Sequence, residues 1–216
     1  MLEMVIHNRA FLLAGLFSTL EISALTIVFG SLLAVLLALV RYLKLPFLSR
    51  ACALYIGLIQ GAPLLVVLLV CYFALPALLG YQTTAHGATI LAFTVFIAPY
   101  LAEDLRGGLE SVRPPLIAAA LATGLTRRQV IRLIVLPIAL RASIPSLINQ
   151  YVRLIKFTSV ASIVGVQELT GNALLINARI FEPIPVFAFV AIVYLVMCQI
   201  VSLTGRWIYA RLAVRT

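Results

Sequence analysis

Residues 114–158 read PPLIAAALATGLTRRQVIRLIVLPIALRASIPSLINQYVRLIKFT, and the rest of the chain is arranged around them. Apolar blocks long enough to cross a bilayer lie on either side, yet this stretch holds Arg127, Arg128, Arg132, Arg141, Arg153, Lys156 and four prolines. Something polar is built into a membrane protein here. The first half reads as two short helices. Residues 116–123 are helix-prone and alanine-rich, Gly124 terminates them, and Thr126 begins the second helix. Thr126 and Gln129 have capping-box spacing: the Thr hydroxyl takes the Gln129 backbone N–H and the Gln side chain reaches back. Pro137 lacks a backbone donor and is expected to end this second helix. Within those limits Arg128, Gln129 and Arg132 share one side, and Val130, Ile131, Ile134 and Val135 the other. In a membrane protein such an amphipathic pair lies on the surface or docks a partner.

Composition supports the membrane setting. With 63% hydrophobic and only 11% charged residues, and a mean hydropathy of +1.15, 216 residues cannot hide their apolar surface in a soluble core. The net charge of +9 suits topology-setting loops rather than nucleic acid, because the basic residues lie between apolar blocks and form no water-exposed basic domain. Cys52, Cys71 and Cys198 are odd in number, sit in apolar surroundings and lack metal-ligand spacing, so they read as inert thiols. His7 and His86 have no partner at ligand spacing, and no metal site is expected. Residues 11–40 are too long for a signal-peptide core and read as a membrane anchor.

Five spans are expected, within residues 11–40, 53–79, 86–105, 143–166 and 185–203. The second is interrupted by Gly61, Pro63 and Pro76, and Pro99 is expected to kink the third. No soluble domain, repeat or low-complexity tract remains, so residues 1–216 read as one all-α membrane domain. Orientation follows from the basic residues. Arg41, Lys44 and Arg50 follow the first span, Arg106, Arg113, Arg127, Arg128, Arg132 and Arg141 the third, and Arg206, Arg211 and Arg215 the fifth, against Arg9 and Arg179 opposite. The positive-inside rule then puts the amino terminus outside, the carboxyl terminus in the cytoplasm and the 113–137 loop in the cytoplasm.

Ionisable groups inside spans are expensive and mark function. Asn149, Arg153 and Lys156 recur at i, i+4 and i+7 on one face of the fourth span. Lining a cavity, these cations would hold a carboxylate, Arg153 in bidentate fashion. Alternatively the long side chains snorkel to headgroups, or Arg153 pairs with Glu103 or Glu110. Glu103, Arg106 and Glu110 fall at i, i+3 and i+7 and read as local ion pairs. Gln60, Gly61 and Pro63 either free a carbonyl toward a cavity or make a packing kink. Glu21 pairs with Arg9 or faces water. Nothing reads GxxxxGK[ST], HExxH or GxSxG, so energy must come from another subunit.

The small residues Ala118-Ala119-Ala120, then Gly124, then Leu136-Pro137 resemble the EAA loop of ABC-importer permeases. GLFSTLEIS at 15–23, GAPLLVVLL at 61–69, YLAEDLRGGLESV at 100–112 and RLIKFTSVASIVG at 153–165 resemble the polar amino-acid uptake subfamily, in the same order over nearly the whole chain. Ala118 stands where the motif has Glu, Gln60 where Arg is usual, and Phe157 where Asp is usual; the loss of the motif Glu removes one polar tether of the loop. The resemblance implies a type I importer permease architecture in a bacterial inner membrane. It makes Ala118, Ala119, Gly124, Thr126, Arg127, Arg128 and Arg132 a coupling surface for an ATP-binding subunit dimer. It also implies a second permease subunit, an extracytoplasmic solute-binding protein, no cofactor of the chain's own, and ATP with Mg on the partner. Thr158 and Ser159 match the family's Thr-Ser pair; with Gln60, Asn149, Arg153 and Lys156 they form the expected substrate-binding set, although such hydroxyls often bond a carbonyl one turn back. Ala102-Glu103 and Arg106-Gly107 match too, which favours packing of that face against the coupling loop. A stand-alone secondary transporter or channel would need repeats or a closed oligomer, an intramembrane enzyme paired acids or metal ligands, and a divergent permease would show weakened coupling.

Overall fold

The computed structural model describes residues 2–213; Arg215, counted above among the topology-setting charges, lies outside them. The chain is a run of helices: α1 (Leu2–His7), α2 (Arg9–Tyr42), α3 (Pro46–Gly61), α4 (Leu64–Leu69), α5 (Leu75–Leu79), α6 (Ala85–Glu110), α7 (Pro114–Ala122), α8 (Arg127–Val130), α9 (Leu136–Phe157), α10 (Leu169–Ile180) and α11 (Pro183–Ala213). Four stretches are long and apolar enough to cross a membrane: Arg9–Tyr42, Ala85–Glu110, Arg127–Val164 and Pro183–Arg211. The expected second span is not one helix. It breaks at Ala62 and Pro63, where α3 and the Leu64–Leu79 segment meet at 110°, and it makes a fifth crossing only if the bent pair counts as one.

Helix α6 is the most deeply buried span, and its neighbours explain why. Small residues on α2 let it approach: Gly30 meets the Ile97 side chain, and Ala34 and Ala38 are buried beside it. At the other end, Gly108 of α6 lies so close to α9 that a Cβ there would collide with Ser143 Oγ and come within 2.6 Å of the Ala139 carbonyl. Gly205 of α11 receives Ile148 of α9 in the same way. Glycine thus marks both crossings of α9.

The prolines are accommodated in different ways. Pro99 sits inside α6, and the carbonyl it leaves without a helical partner, that of Val95, accepts the Tyr55 hydroxyl of α3 at 2.7 Å. Pro137 does not end the helix that begins at Arg127. A π-helical turn, Ile131–Val135, joins α8 to α9, with the Leu136 N–H donating to the Ile131 carbonyl five residues back. Val70–Ala74 is a second π turn, closed by Leu75 N–H to Val70 C=O and followed by Pro76. In both places a Leu-Pro follows the widened turn, which re-forms the ladder around the missing donor. The fourth span therefore starts sixteen residues before position 143 and runs on as a 3-10 segment, Thr158–Val164.

Candidate functional site

Helix α9 carries the polar face expected of it. Asn149, Arg153 and Lys156 are all exposed, and among the described residues none of the three side chains makes a hydrogen bond or ion pair. The opposite side explains the orientation: Leu154 and Ile155 are buried, Tyr151 shares a 2.9 Å hydrogen bond with Ser31 of α2, and Gln150 donates to Asp104 Oδ2 of α6 at 3.1 Å. Arg153 does not pair with Glu103 or Glu110, whose partners lie elsewhere. Its guanidinium stands 5.8 Å from the centre of the Tyr100 ring. Tyr100 is 5.4 Å from Phe96, and Phe96 is 5.9 Å from Phe157, so the ring beside the cation belongs to an aromatic chain that links α6 to α9. Lys156 turns the other way, into a cleft of about 410 Å³ between α9 and α11 that Tyr194, Gln199 and Ser202 also line.

The other candidates of this set separate from that face. Thr158 is 0% exposed; its hydroxyl donates to the Ile155 carbonyl at 2.7 Å and lies 3.3 Å from the Tyr194 hydroxyl. Ser159 donates to the Lys156 carbonyl at 2.8 Å. Both hydroxyls are spent one turn back along the chain. Gln60 is exposed, one residue before the end of α3, at the 110° bend.

Sequence reading missed Glu168 and the helix it caps. Glu168 is 0% exposed and precedes α10; its carboxylate accepts from Thr170 N–H at 2.9 Å, Gly171 N–H at 2.7 Å and the Tyr194 hydroxyl at 2.9 Å. The Thr19 hydroxyl of α2 takes the Leu169 N–H at 3.1 Å, and Asn172 N–H bonds the Glu168 carbonyl at 2.8 Å. Every donor of this buried first turn is thereby satisfied. Asn172 Nδ2 reaches the Phe11 carbonyl at 2.7 Å and fastens α10 to α2. Burial pushes the Glu168 carboxyl up from its ordinary value, against the downward pull of its hydrogen-bond donors. An acidic residue followed by LTGNALLINARI was the available signal.

At the basic end of the bundle, Glu103 bridges Arg41 of α2 at 2.6 Å and Arg106 at 2.6 Å, and Arg106 continues to Glu110 at 2.6 Å. The ion pairs expected along α6 are present and extend to α2. Next to them stands the loop. Helix α7 ends at Ala122, and Gly124 follows with φ +87°, a left-handed conformation that relieves the turn. The capping box is formed: Thr126 N–H to Gln129 Oε1 is 2.8 Å, and Gln129 N–H to Thr126 Oγ1 is 3.3 Å. Val112, Ala120, Val130 and Val135 make a small core beneath it, while Ala118, Ala119, Gly124, Thr126, Arg127, Arg128 and Arg132 are exposed. Ile131, expected on the inner side, is exposed as well. At the far end of the bundle Glu21 faces His86 Nε2 at 3.7 Å rather than Arg9.

The family model described as binding-protein-dependent transport system inner membrane component matches residues 26–214. The chain is 34% identical over 203 residues to the probable amino-acid ABC transporter permease protein PatM of Vibrio harveyi, covering 93% of this chain and 91% of that one. It is likewise 34% identical over 208 residues to the probable glutamine ABC transporter permease protein GlnP of Bacillus subtilis, covering 95% of each. The crystal structure of an amino acid ABC transporter with histidines superposes with a TM-score of 0.89 at 26% identity, covering 96% of both chains. The helical architecture is that of a type I ABC-importer permease. With four to five apolar spans, an exposed loop at the basic end and a match along nearly its whole length, the chain belongs to the family of binding-protein-dependent transport system inner membrane components.

Proposed function

We propose that this permease moves amino acids or similar small polar solutes into the cytoplasm, with a second permease subunit, identical or related, completing the pathway. The basic end is cytoplasmic and the amino terminus lies outside. The observation that carries the reading is the exposed polar face of Asn149, Arg153 and Lys156 within a membrane-crossing helix, where unpaired charge is expensive unless it serves a ligand. A cargo carboxylate is held there. Thr158 and Ser159 act by shaping the end of α9, since their own hydroxyls are occupied, and Gln60 sits where the broken second span opens.

Membership of the family implies an ATP-binding subunit and a solute-binding protein as partners, with nucleotide hydrolysis on the former. In the proposed cycle, closure of two ATP-binding subunits draws the coupling loops together, the spans rotate to face outward, the solute-binding protein delivers cargo, and hydrolysis returns the cavity inward. Docking uses Ala118, Ala119, Gly124, Thr126, Arg127, Arg128 and Arg132. ATP and Mg belong to the partner, and the permease needs no cofactor of its own.

Charge reversal of the loop tests this directly. Arg128→Glu with Arg132→Glu is expected to abolish co-purification with the ATP-binding subunit while detergent-solubilised protein stays monodisperse. Gly124→Pro should do the same, because proline holds φ near −65° and cannot adopt the φ of +87° found there. Undiminished partner binding in all variants would reduce the loop to a surface element and turn attention to a stand-alone transporter.

A further inference from the structure

Of the seven acidic residues of the chain, Asp104 alone stands beside the polar face of α9. Glu103 and Glu110 are held by Arg41 and Arg106, Glu21 faces His86, and Glu168 is sealed in its cap. Asp104 accepts from Gln150 and is close enough to Arg153 to feel its charge. Glu3 lies in α1 and Glu182 between α10 and α11. The cleft that receives Lys156 offers the Gln199 amide and the Ser202 and Tyr194 hydroxyls, and no carboxylate. Asp104 offsets Arg153 and Glu168 is engaged by its own cap, so Lys156 is left as uncancelled positive charge on this face of each subunit. A zwitterionic cargo leaves that surplus in place, a cationic cargo adds to it in a medium of low dielectric, and a cargo of net negative charge cancels it.

Geometry narrows the class. Arg153 and Lys156 are one helical turn apart, their Cβ atoms about 5–6 Å from each other, and their side chains diverge, one toward Tyr100 of α6 and the other toward α11. Two carboxylates joined by a short methylene bridge can engage both. Resting on the amino-acid import reading above, we propose that the α9/α11 cleft is the side-chain subsite of the cargo and that it selects an acidic amino acid. Lys156 supplies the counter-charge, Gln199 and Ser202 donate hydrogen bonds to the same carboxylate, and Arg153 holds the α-carboxylate. The chemistry is oxyanion recognition, which the phosphate of an anionic lipid would share.

The test uses the permease assembled with its ATP-binding subunits in nanodiscs, of zwitterionic lipid alone or with phosphatidylglycerol, and measures binding of glutamate, glutamine and arginine. Glutamate should bind about tenfold tighter than glutamine, equivalent to about 1.4 kcal/mol, and arginine weakest. Lys156→Gln should erase the preference for glutamate while glutamine still binds; Gln199→Glu, which sets an acid in the same cleft, should shift the preference to glutamine. Co-purification with the ATP-binding subunit confirms that each variant is folded. The proposal is overturned if wild type prefers glutamine or arginine, if both variants keep the wild-type ratio, or if phosphatidylglycerol displaces glutamate in a Lys156-dependent way, which makes the cleft a lipid site. Stimulation of ATP hydrolysis by glutamine but not glutamate removes only the acidic-cargo proposal; failure of every amino acid to bind or to stimulate removes the import reading as well.

Discussion

Glu168→Ala is expected to lower the thermal midpoint of the purified permease by roughly 10 °C, the shift that corresponds to about 3 kcal/mol in a chain of this size. The substitution strips the Thr170 and Gly171 N–H groups and the Tyr194 hydroxyl of their shared acceptor. Each orphaned buried donor costs about 1–3 kcal/mol, and a lost helix cap adds about 1 more, partly offset because the carboxylate no longer has to be desolvated. Tyr194 also touches Thr158 and Thr170, so the damage reaches the 3-10 segment, α10 and α11 together. Glu168→Gln keeps one acceptor oxygen and should lose much less.

The same side chain sets a pH dependence whose sign follows from burial. The folded state holds the Glu168 proton to a higher pH than the unfolded chain, whose glutamate titrates at its ordinary value of 4.5. Between those two values the folded state binds more protons, so stability declines as pH rises through the window and is level above it. Thermal midpoints of wild type and Glu168→Gln, measured across that window, should diverge in slope. Parallel profiles would assign the dependence to another group.

Arg153→Gln should reduce cargo-stimulated ATP hydrolysis, read as the apparent affinity for cargo, on the order of 100-fold, since a charge-assisted bidentate pair contributes roughly 2–3 kcal/mol. Arg153→Lys keeps the charge but loses the planar fork and the stacking on Tyr100, so it should recover only part of the loss. Binding of the ATP-binding subunit should be untouched in both, because Arg153 lies far along the chain from the coupling loop. Wild-type affinity in Arg153→Gln would mean that the residue faces headgroups rather than cargo.

Much of this architecture is legible in the sequence because a bilayer enforces simple rules. The first, third and fifth spans, the 3.6-residue stripe of Asn149, Arg153 and Lys156, and the Thr126–Gln129 box are local patterns, and each is present in the fold. What escaped has long-range or compensatory causes. The helix capped by Glu168 is short, and its stability comes from Thr19 and Phe11, about 150 residues earlier in the chain. Pro137 looked like a terminator because a missing donor ordinarily ends an α-helix; here the ladder widens instead, which no local rule specifies. Sequence offers Arg153 the acids Glu103 and Glu110, but Arg41 and Arg106 occupy them, and only packing decides such a competition. Lys156 belongs to the stripe by periodicity, while Gln199 and Ser202 join it only through the packing of α11 against α9.

The widened turn at Ile131–Val135 has a bearing on how such a permease can be retuned. A π turn holds one residue more than a regular helix needs, and each residue of an α-helix subtends about 100° of rotation. Because the wide turn already absorbs that residue within one revolution, deleting a residue other than Arg132 there would restore regular winding and leave α8 and α9 nearly in phase, whereas a deletion in the regular part of α9 would swing the loop by about 100°. The turn is thus a buffer in which a single residue can be lost without changing the angle at which the loop meets its motor.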